Sequence, residues 1–119
     1  MSNVRLVIYH NPSCSKSCEA LQILEHNNLS PMVIEYLDEP PTRRELKKII
    51  EMLGISARDL LRTGEQIYQD ARLDNDALSE DEIIAAICAH PILLQRPIVV
   101  SGKRAVIGRP PAKVLEIIV

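Results

Sequence analysis

The chain reads as an α/β fold: a four-stranded mixed sheet flanked by helices, with a helical insertion after the second strand. Three observations predict it. A β-branched strand, Val4-Arg5-Leu6-Val7-Ile8-Tyr9, stops at the short turn His10-Asn11-Pro12-Ser13-Cys14 and gives way to a helical pattern. A second apolar run, Met32-Val33-Ile34-Glu35-Tyr36-Leu37, is followed by capped helices and by no further strand until Pro97. Two last runs, Pro97-Ile98-Val99-Val100 and Ala105-Val106-Ile107, flank Ser101-Gly102-Lys103-Arg104, a hairpin signal with a Gly-containing turn.

Each element has local punctuation. Ser13 or Ser15 caps the first helix, which runs to about Asn28 with Leu21, Ile23 and Leu24 as apolar positions. Asn27-Asn28 and Ser30-Pro31 end it. Asp38-Glu39-Pro40-Pro41 breaks the chain, and Thr42-Arg43-Arg44-Glu45 is a capping box opening a helix to Leu53, closed by Gly54. From Ser56 to Leu73 the pattern gives short helical pieces interrupted by Thr63-Gly64. Ser79-Glu80-Asp81-Glu82 is a second capping box, and Ile83, Ile84, Ile87 and Cys88 form the apolar stripe of its helix, which makes Cys88 a small core residue. His90-Pro91 ends that helix. Pro110-Pro111 starts a last one with Val114, Leu115, Ile117 and Ile118 on its buried side. The order β-α-β, helical insert, β-β-α, with short right-handed connections, is the thioredoxin layout.

At 119 residues the chain is expected to form one domain, 1–119, large enough for a single core. Apolar residues make up 46% and charged ones 25%, the balance of a soluble globular protein. Without Phe or Trp, the core must be packed with Ile, Leu and Val, and base stacking has only three Tyr to draw on. A net charge of −2 gives no pull toward nucleic acid or an anionic membrane. No apolar run approaches a membrane span, and Met1-Ser2-Asn3 leads into the first strand without a signal-peptide core, so a cytoplasmic location is expected. Three cysteines, an odd count in a reducing compartment, argue for reactive or buried thiols over a disulfide framework.

Cys14 is the candidate nucleophile. It falls where a helix begins, and there the unpaired N–H groups and the positive end of the dipole favour a thiolate. Cysteines so placed have pKa values of roughly 3.5–7.5, against about 8.5 unperturbed. Spacing sorts the thiol mechanisms that share this geometry. Ser17 stands where a Cys-x-x-Cys pair would have its second thiol, and Ala20 stands where a Cys-based phosphatase loop would carry its Arg. Cys18 shares the helix face of Cys14, where i and i+4 sulfurs are too far apart for an easy disulfide unless the first turn unwinds; redox partner and bystander both stay open. A zinc site from His10, Cys14 and Cys18 lacks the paired spacing of structural sites, so no metal is expected. His10, on the same turn, is an imidazolium that lowers the thiol pKa, a neutral proton shuttle, or a solvent-facing turn residue. His26 and His90 lie at helix ends and read as surface groups.

Arg62 precedes Thr63-Gly64, Arg96 precedes the Pro97 strand and Arg109 follows Gly108. All three sit at element ends, and a guanidinium fork suits a tetrahedral oxyanion because it donates two parallel hydrogen bonds.

These segments together resemble the glutaredoxin-linked arsenate reductase family, the ArsC/Spx branch of the thioredoxin superfamily, in its short form. The resemblance runs through Tyr9-His10-Asn11-Pro12-Ser13-Cys14-Ser15-Lys16-Ser17, Tyr36-Leu37 with Pro40-Pro41-Thr42, and Leu60-Leu61-Arg62. It continues through His90-Pro91-Ile92-Leu93, Arg96-Pro97-Ile98-Val99-Val100 and Ile107-Gly108-Arg109-Pro110, and so covers nearly the whole chain. It implies that Cys14 is the catalytic thiol, that His10 helps to ionise it, and that Arg62, Arg96 and Arg109 bind the oxyanion. Pro97 matches the superfamily's cis-proline facing the cysteine, an uncommon bond isomer and hence a retained feature. Cys18 stands where the family often carries Arg, and the chain ends at Val119, before the C-terminal extension of longer members. The implied function is reduction of arsenate to arsenite through a cysteinyl-arsenate intermediate, with glutathione as co-substrate, glutaredoxin as partner and no bound cofactor. The alternatives are a glutathione-dependent thiol oxidoreductase of the Cys-x-x-Ser type and a Spx-like regulator that binds RNA polymerase. Ser17 in place of a second cysteine weighs against the latter.

Overall fold

The computed structural model of the chain describes residues 6–117; Val4, Arg5 and Ile118, which the sequence assigns to the first strand and last helix, lie outside them. The chain folds as two compact units, Met1–Glu39 with Arg96–Val119 and Pro40–Gln95.

The first unit holds the four-stranded mixed sheet in the order β2-β1-β3-β4. Strand β1 (Leu6–His10) pairs in parallel with β2 (Met32–Glu35), His10 opposite Glu35, and antiparallel with β3 (Ile98–Ser101), Tyr9 opposite Ile98. Strand β4 (Arg104–Ile107) closes the hairpin on β3. Gly102 takes φ 61° in its turn, a conformation glycine adopts without the penalty of a Cβ. Helix α1 (Ser15–His26) follows β1 and packs against the C-terminal segment. Its end is stapled by Asn28 at φ 62°, with Leu29 N–H reaching back to the Leu24 carbonyl and Asn28 N–H to that of Glu25. The core of this unit is Ile8, Ala20, Leu24, Val99, Val114 and Ile117, aliphatic throughout.

Three expectations need correction here. The cap of α1 is neither Ser13 nor Ser15: Cys14 is itself the N-cap residue. Strand β2 stops at Glu35, because the Asp38 and Glu39 N–H groups both donate to the Glu35 carbonyl and turn the chain at Tyr36-Leu37. The last element is a 3-10 helix, Pro111–Ile117, in place of the expected α-helix. Its period of three aligns Pro111, Val114 and Ile117 on the buried row and turns Leu115 outward, 39% exposed.

The second unit is the helical insertion. Helix α2 (Arg43–Leu53) has both halves of the Thr42/Glu45 capping box and ends at Gly54, φ 68°. A 3-10 turn (Ala57–Leu60) and the short α3 (Gln66–Asp70) fill the stretch that the sequence pattern breaks into helical pieces. Helix α4 (Glu80–Ala89) carries the Ser79/Glu82 box and packs on α2, with Ile83, Ile84 and Ile87 buried. Cys88 is only half-buried, one position past that face, and so is not the core residue expected. A 3-10 turn (Pro91–Leu93) follows.

Candidate active site

The strand–turn–helix that presents Cys14 is held by short local bonds. The Asn11 side-chain carbonyl accepts from Ser13 N–H at 2.9 Å, and the Asn11 backbone carbonyl accepts from Cys14 N–H at 3.0 Å. The Ser17 hydroxyl oxygen reaches back to accept from Asn11 N–H at 3.1 Å and lies 2.6 Å from His10 Nδ1. Ser17 is fully buried and His10 nearly so, which removes the solvent-facing reading of His10.

Cys14 sits at the bottom of this turn, 8% exposed. Burial pushes its thiol up, but the Ser17 N–H, the Arg96 guanidinium and the Lys16 N–H all favour the thiolate. The balance lies below the ordinary thiol value. For His10 burial wins. It lowers the imidazole pKa against the upward pull of Glu35 and Glu25, so the ring is neutral at neutral pH and the imidazolium reading loses its footing.

Arg96 and Arg109 converge on the sulfur. Arg109 Nη2 is 4.0 Å from Cys14 Sγ, and Arg109 Nε donates to the Arg96 carbonyl at 2.7 Å, so the Arg109 side chain is braced on the Arg96 backbone. Arg96 contacts both Cys14 and Tyr36, contacts that outweigh burial and hold its guanidinium above its usual value. Its Nε and Nη1 are buried with no hydrogen-bond partner among the described residues. Two donors so placed beside a thiolate at a helix N-terminus suit one kind of ligand, an oxyanion whose central atom the sulfur can attack.

The Arg96–Pro97 bond is cis, as is Arg109–Pro110. Gly108 N–H donates to the Pro97 carbonyl at 2.9 Å, and a Cβ on Gly108 would stand 2.9 Å from Pro97 Cγ and 3.1 Å from Val114 Cγ1. Glycine is what lets the Arg109 loop close on the Pro97 loop. Gly108→Ala is therefore expected to destabilise the fold by about 1–3 kcal/mol through overpacking, read as a lowered midpoint in urea unfolding.

Arg62 belongs to the second unit. There its Nε pairs with Glu65 at 3.3 Å and its backbone N–H donates to the Leu93 carbonyl. Cys18 donates its S–H to the Pro12 carbonyl at 3.3 Å. The Cys88 thiol is pushed up by burial, with Arg43 pulling it down. No group of three or more His, Cys, Asp or Glu side chains among the described residues could hold a metal ion. No helix there is long and apolar enough to cross a membrane.

The roles of Ser17, Tyr36, Gly108 and Glu65 emerge only in the structure. In the sequence Ser17 registers merely as the absence of a second thiol. Gly108 does carry a signal, a glycine between a strand and Arg109-Pro110.

The ArsC family model matches residues 9–117. The chain is 46% identical over 112 residues to the uncharacterized protein YfgD of Escherichia coli strain K12, covering 93% of this chain and 94% of that one. It is 45% identical over 114 residues to an arsenate reductase of Haemophilus influenzae, covering 95% and 98%. Among solved structures, the arsenate reductase from Vibrio cholerae superposes with a TM-score of 0.94 at 44% identity, over 98% of this chain and 99% of that one.

Proposed function

The chain belongs to the ArsC family, and on that premise we propose that it is an arsenate reductase drawing its electrons from glutathione and glutaredoxin. One observation supports this above the others: a thiolate-favouring Cys14 lies within reach of Arg96 and Arg109, and Arg96 keeps two buried N–H donors without partners. Arsenate is a tetrahedral oxyanion with an electrophilic centre, and it has the shape and charge those donors require.

In this mechanism Arg96 and Arg109 hold the arsenate oxygens while Cys14 Sγ attacks arsenic. A hydroxyl leaves as water after protonation, forming a cysteinyl-arsenate still at As(V). The arginines and the α1 N-terminus stabilise the negative oxygens, the service an oxyanion hole performs. Glutathione then displaces a second hydroxyl on arsenic as water. The glutaredoxin thiolate attacks the glutathionyl sulfur, the S–As electron pair stays on arsenic, and As(V) becomes As(III) as a glutaredoxin–glutathione disulfide departs. Water releases arsenite from Cys14. His10, neutral and tied to Ser17, orients the turn and is placed to exchange protons there. A glutathione-linked cycle suits a cytoplasmic location.

Arsenate-dependent NADPH oxidation, coupled through glutathione reductase, glutathione and glutaredoxin, tests the reading. It is expected to require this chain, and Cys18→Ser is expected to keep most of the rate because glutathione resolves the adduct. Absence of arsenate-dependent turnover, with reduction of glutathionylated thiols in its place, would favour a second reading. That reading is a thiol oxidoreductase, supported by the Cys14-x-x-Ser17 spacing.

A further inference from the structure

We propose that Asn11 is a positioning residue for Cys14, its side chain setting the turn so that the sulfur lies over the first N–H groups of α1. Cys14 is the N-cap residue of that helix, extended at φ −103° and ψ 119°. A side chain at this position reaches the N–H groups of the second and third helical residues. Here those are Lys16 and Ser17, the two backbone donors that favour the thiolate. Whether the sulfur arrives there depends on the turn before it. Pro12 and Ser13 form an exposed crest between two buried residues, Asn11 and Cys14. Asn11, 6% exposed, closes this turn with three bonds. Its Oδ1 accepts from Ser13 N–H at 2.9 Å, its backbone carbonyl accepts from Cys14 N–H at 3.0 Å, and its own N–H donates to the buried Ser17 hydroxyl at 3.1 Å.

Two of these bonds are made by the backbone and do not depend on which residue stands at position 11. Only the Oδ1 bond does. It and the Cys18 S–H, which donates to the Pro12 carbonyl at 3.3 Å, fix the plane of the Pro12–Ser13 peptide, one residue before Cys14. An amide suits the task better than a carboxylate. Aspartate would accept the same N–H but would set a negative charge beside the thiolate. Being neutral, Asn11 acts separately from the charged groups around the site: Arg96 and Arg109 at the ends of β3 and β4, and Glu35 opposite His10 on the neighbouring strand. The inference deepens the proposed oxyanion chemistry and rests on it where arsenate kinetics are used, but the position of the sulfur can be read without arsenate.

The experiment follows Cys14 alkylation by iodoacetamide against pH, with Cys18→Ser, which keeps a donor for Pro12, and Cys88→Ser in the background. Asn11→Ala is expected to move the inflection upward by about half to one pH unit, a loss of rate of about 3–10-fold on the lower limb. Asn11→Ser keeps a weaker acceptor for the Ser13 N–H, and its inflection should fall between the two. In the arsenate assay Asn11→Ala should lower kcat and leave KM close to the wild type, since Arg96 and Arg109 still hold the anion. An inflection that stays in place, whether or not the melting midpoint drops, overturns the proposal, because Asn11 then holds the fold and not the sulfur. So does an Asn11→Ser profile that coincides with that of Asn11→Ala. Asn11→Leu keeps the volume without the acceptor and takes the place of the alanine variant if that one does not fold. If both fail while Asn11→Ser folds, the residue is structural and the proposal falls. If the wild type reduces no arsenate, the oxyanion reading fails on its own and the alkylation profile still decides the role of Asn11.

Discussion

Replacing Cys14 with Ser is expected to take the proposed arsenate-dependent NADPH oxidation to background, a loss on the order of 10⁶-fold when an enzyme loses its covalent nucleophile. In the wild type, iodoacetamide alkylation of Cys14 rises with pH along a profile whose inflection lies below that of a free thiol. Burial opposes this, and the Ser17 N–H, Arg96 and the Lys16 N–H outweigh burial. The same shift predicts how stability follows pH. The folded-state pKa is depressed, so the thiolate's contribution is fully present above the unfolded thiol value of about 8.5 and is lost as pH falls through the folded value. Across that window the wild type should gain thermal midpoint with rising pH relative to Cys14→Ser. An inflection at the free-thiol position, with parallel melting curves, would remove Cys14 as the nucleophile. His10→Ala is expected to move that inflection only through the Ser17 hydroxyl, because burial holds the imidazole pKa below its usual value.

Arg96→Ala and Arg109→Ala are each expected to lower kcat/KM for arsenate by about 10²–10³-fold, the range for removal of one anion-stabilising donor. Their effects on stability should differ, and the difference reports the geometry. The Arg96 guanidinium has two buried nitrogens without partners but also favours the Cys14 thiolate, so its removal lowers the unfolding midpoint more above the folded thiol pKa than below it. Arg109 donates to the Arg96 carbonyl at 2.7 Å, so Arg109→Ala costs about 1 kcal/mol through the lost hydrogen bond. Arg109→Lys keeps the charge and loses the fork, and it should recover only part of the binding. Sulfate or arsenate protection of Cys14 from alkylation checks both variants without turnover. Undiminished protection in either one would take that arginine out of the anion site.

The frame of the fold is legible in the sequence because its signals are short-range. Both capping boxes, Thr42 with Glu45 and Ser79 with Glu82, stand where the i, i+3 pattern puts them, since each is a bond between neighbours on one turn. The hairpin around Gly102 likewise depends on a few consecutive residues. Local patterns mislead where non-local or finer geometry competes with them. Ser13 and Ser15 look like caps by composition, but the turn uses Ser17 to bind Asn11 and His10 and leaves Cys14 at the cap position. Leu115 looks buried on an α-helical wheel and is exposed because the segment winds as a 3-10 helix. Cys88 looks like core because it ends an apolar run, and it lies just off the buried face.

The sequence by itself determined the order of strands and helices, the helix starts in the insertion, and a cysteine at the end of a strand where a helix begins. These follow from backbone preferences and capping, interactions whose partners are only a few residues apart. Only the tertiary structure decided which charges meet the sulfur and in what state. Arg109 reaches Cys14 across 95 residues of sequence because β3 pairs with β1 and because Gly108, lacking a Cβ, lets its loop close on Pro97. Arg96 is turned toward Cys14 and Tyr36, Arg62 toward Glu65, and His10 is buried into neutrality. Arg96 and Arg109 look alike in sequence and differ in the fold, because a guanidinium's role is set by which acceptors and how much water lie within a few ångströms. Those neighbours are assembled by sheet register and packing, beyond the reach of any local pattern.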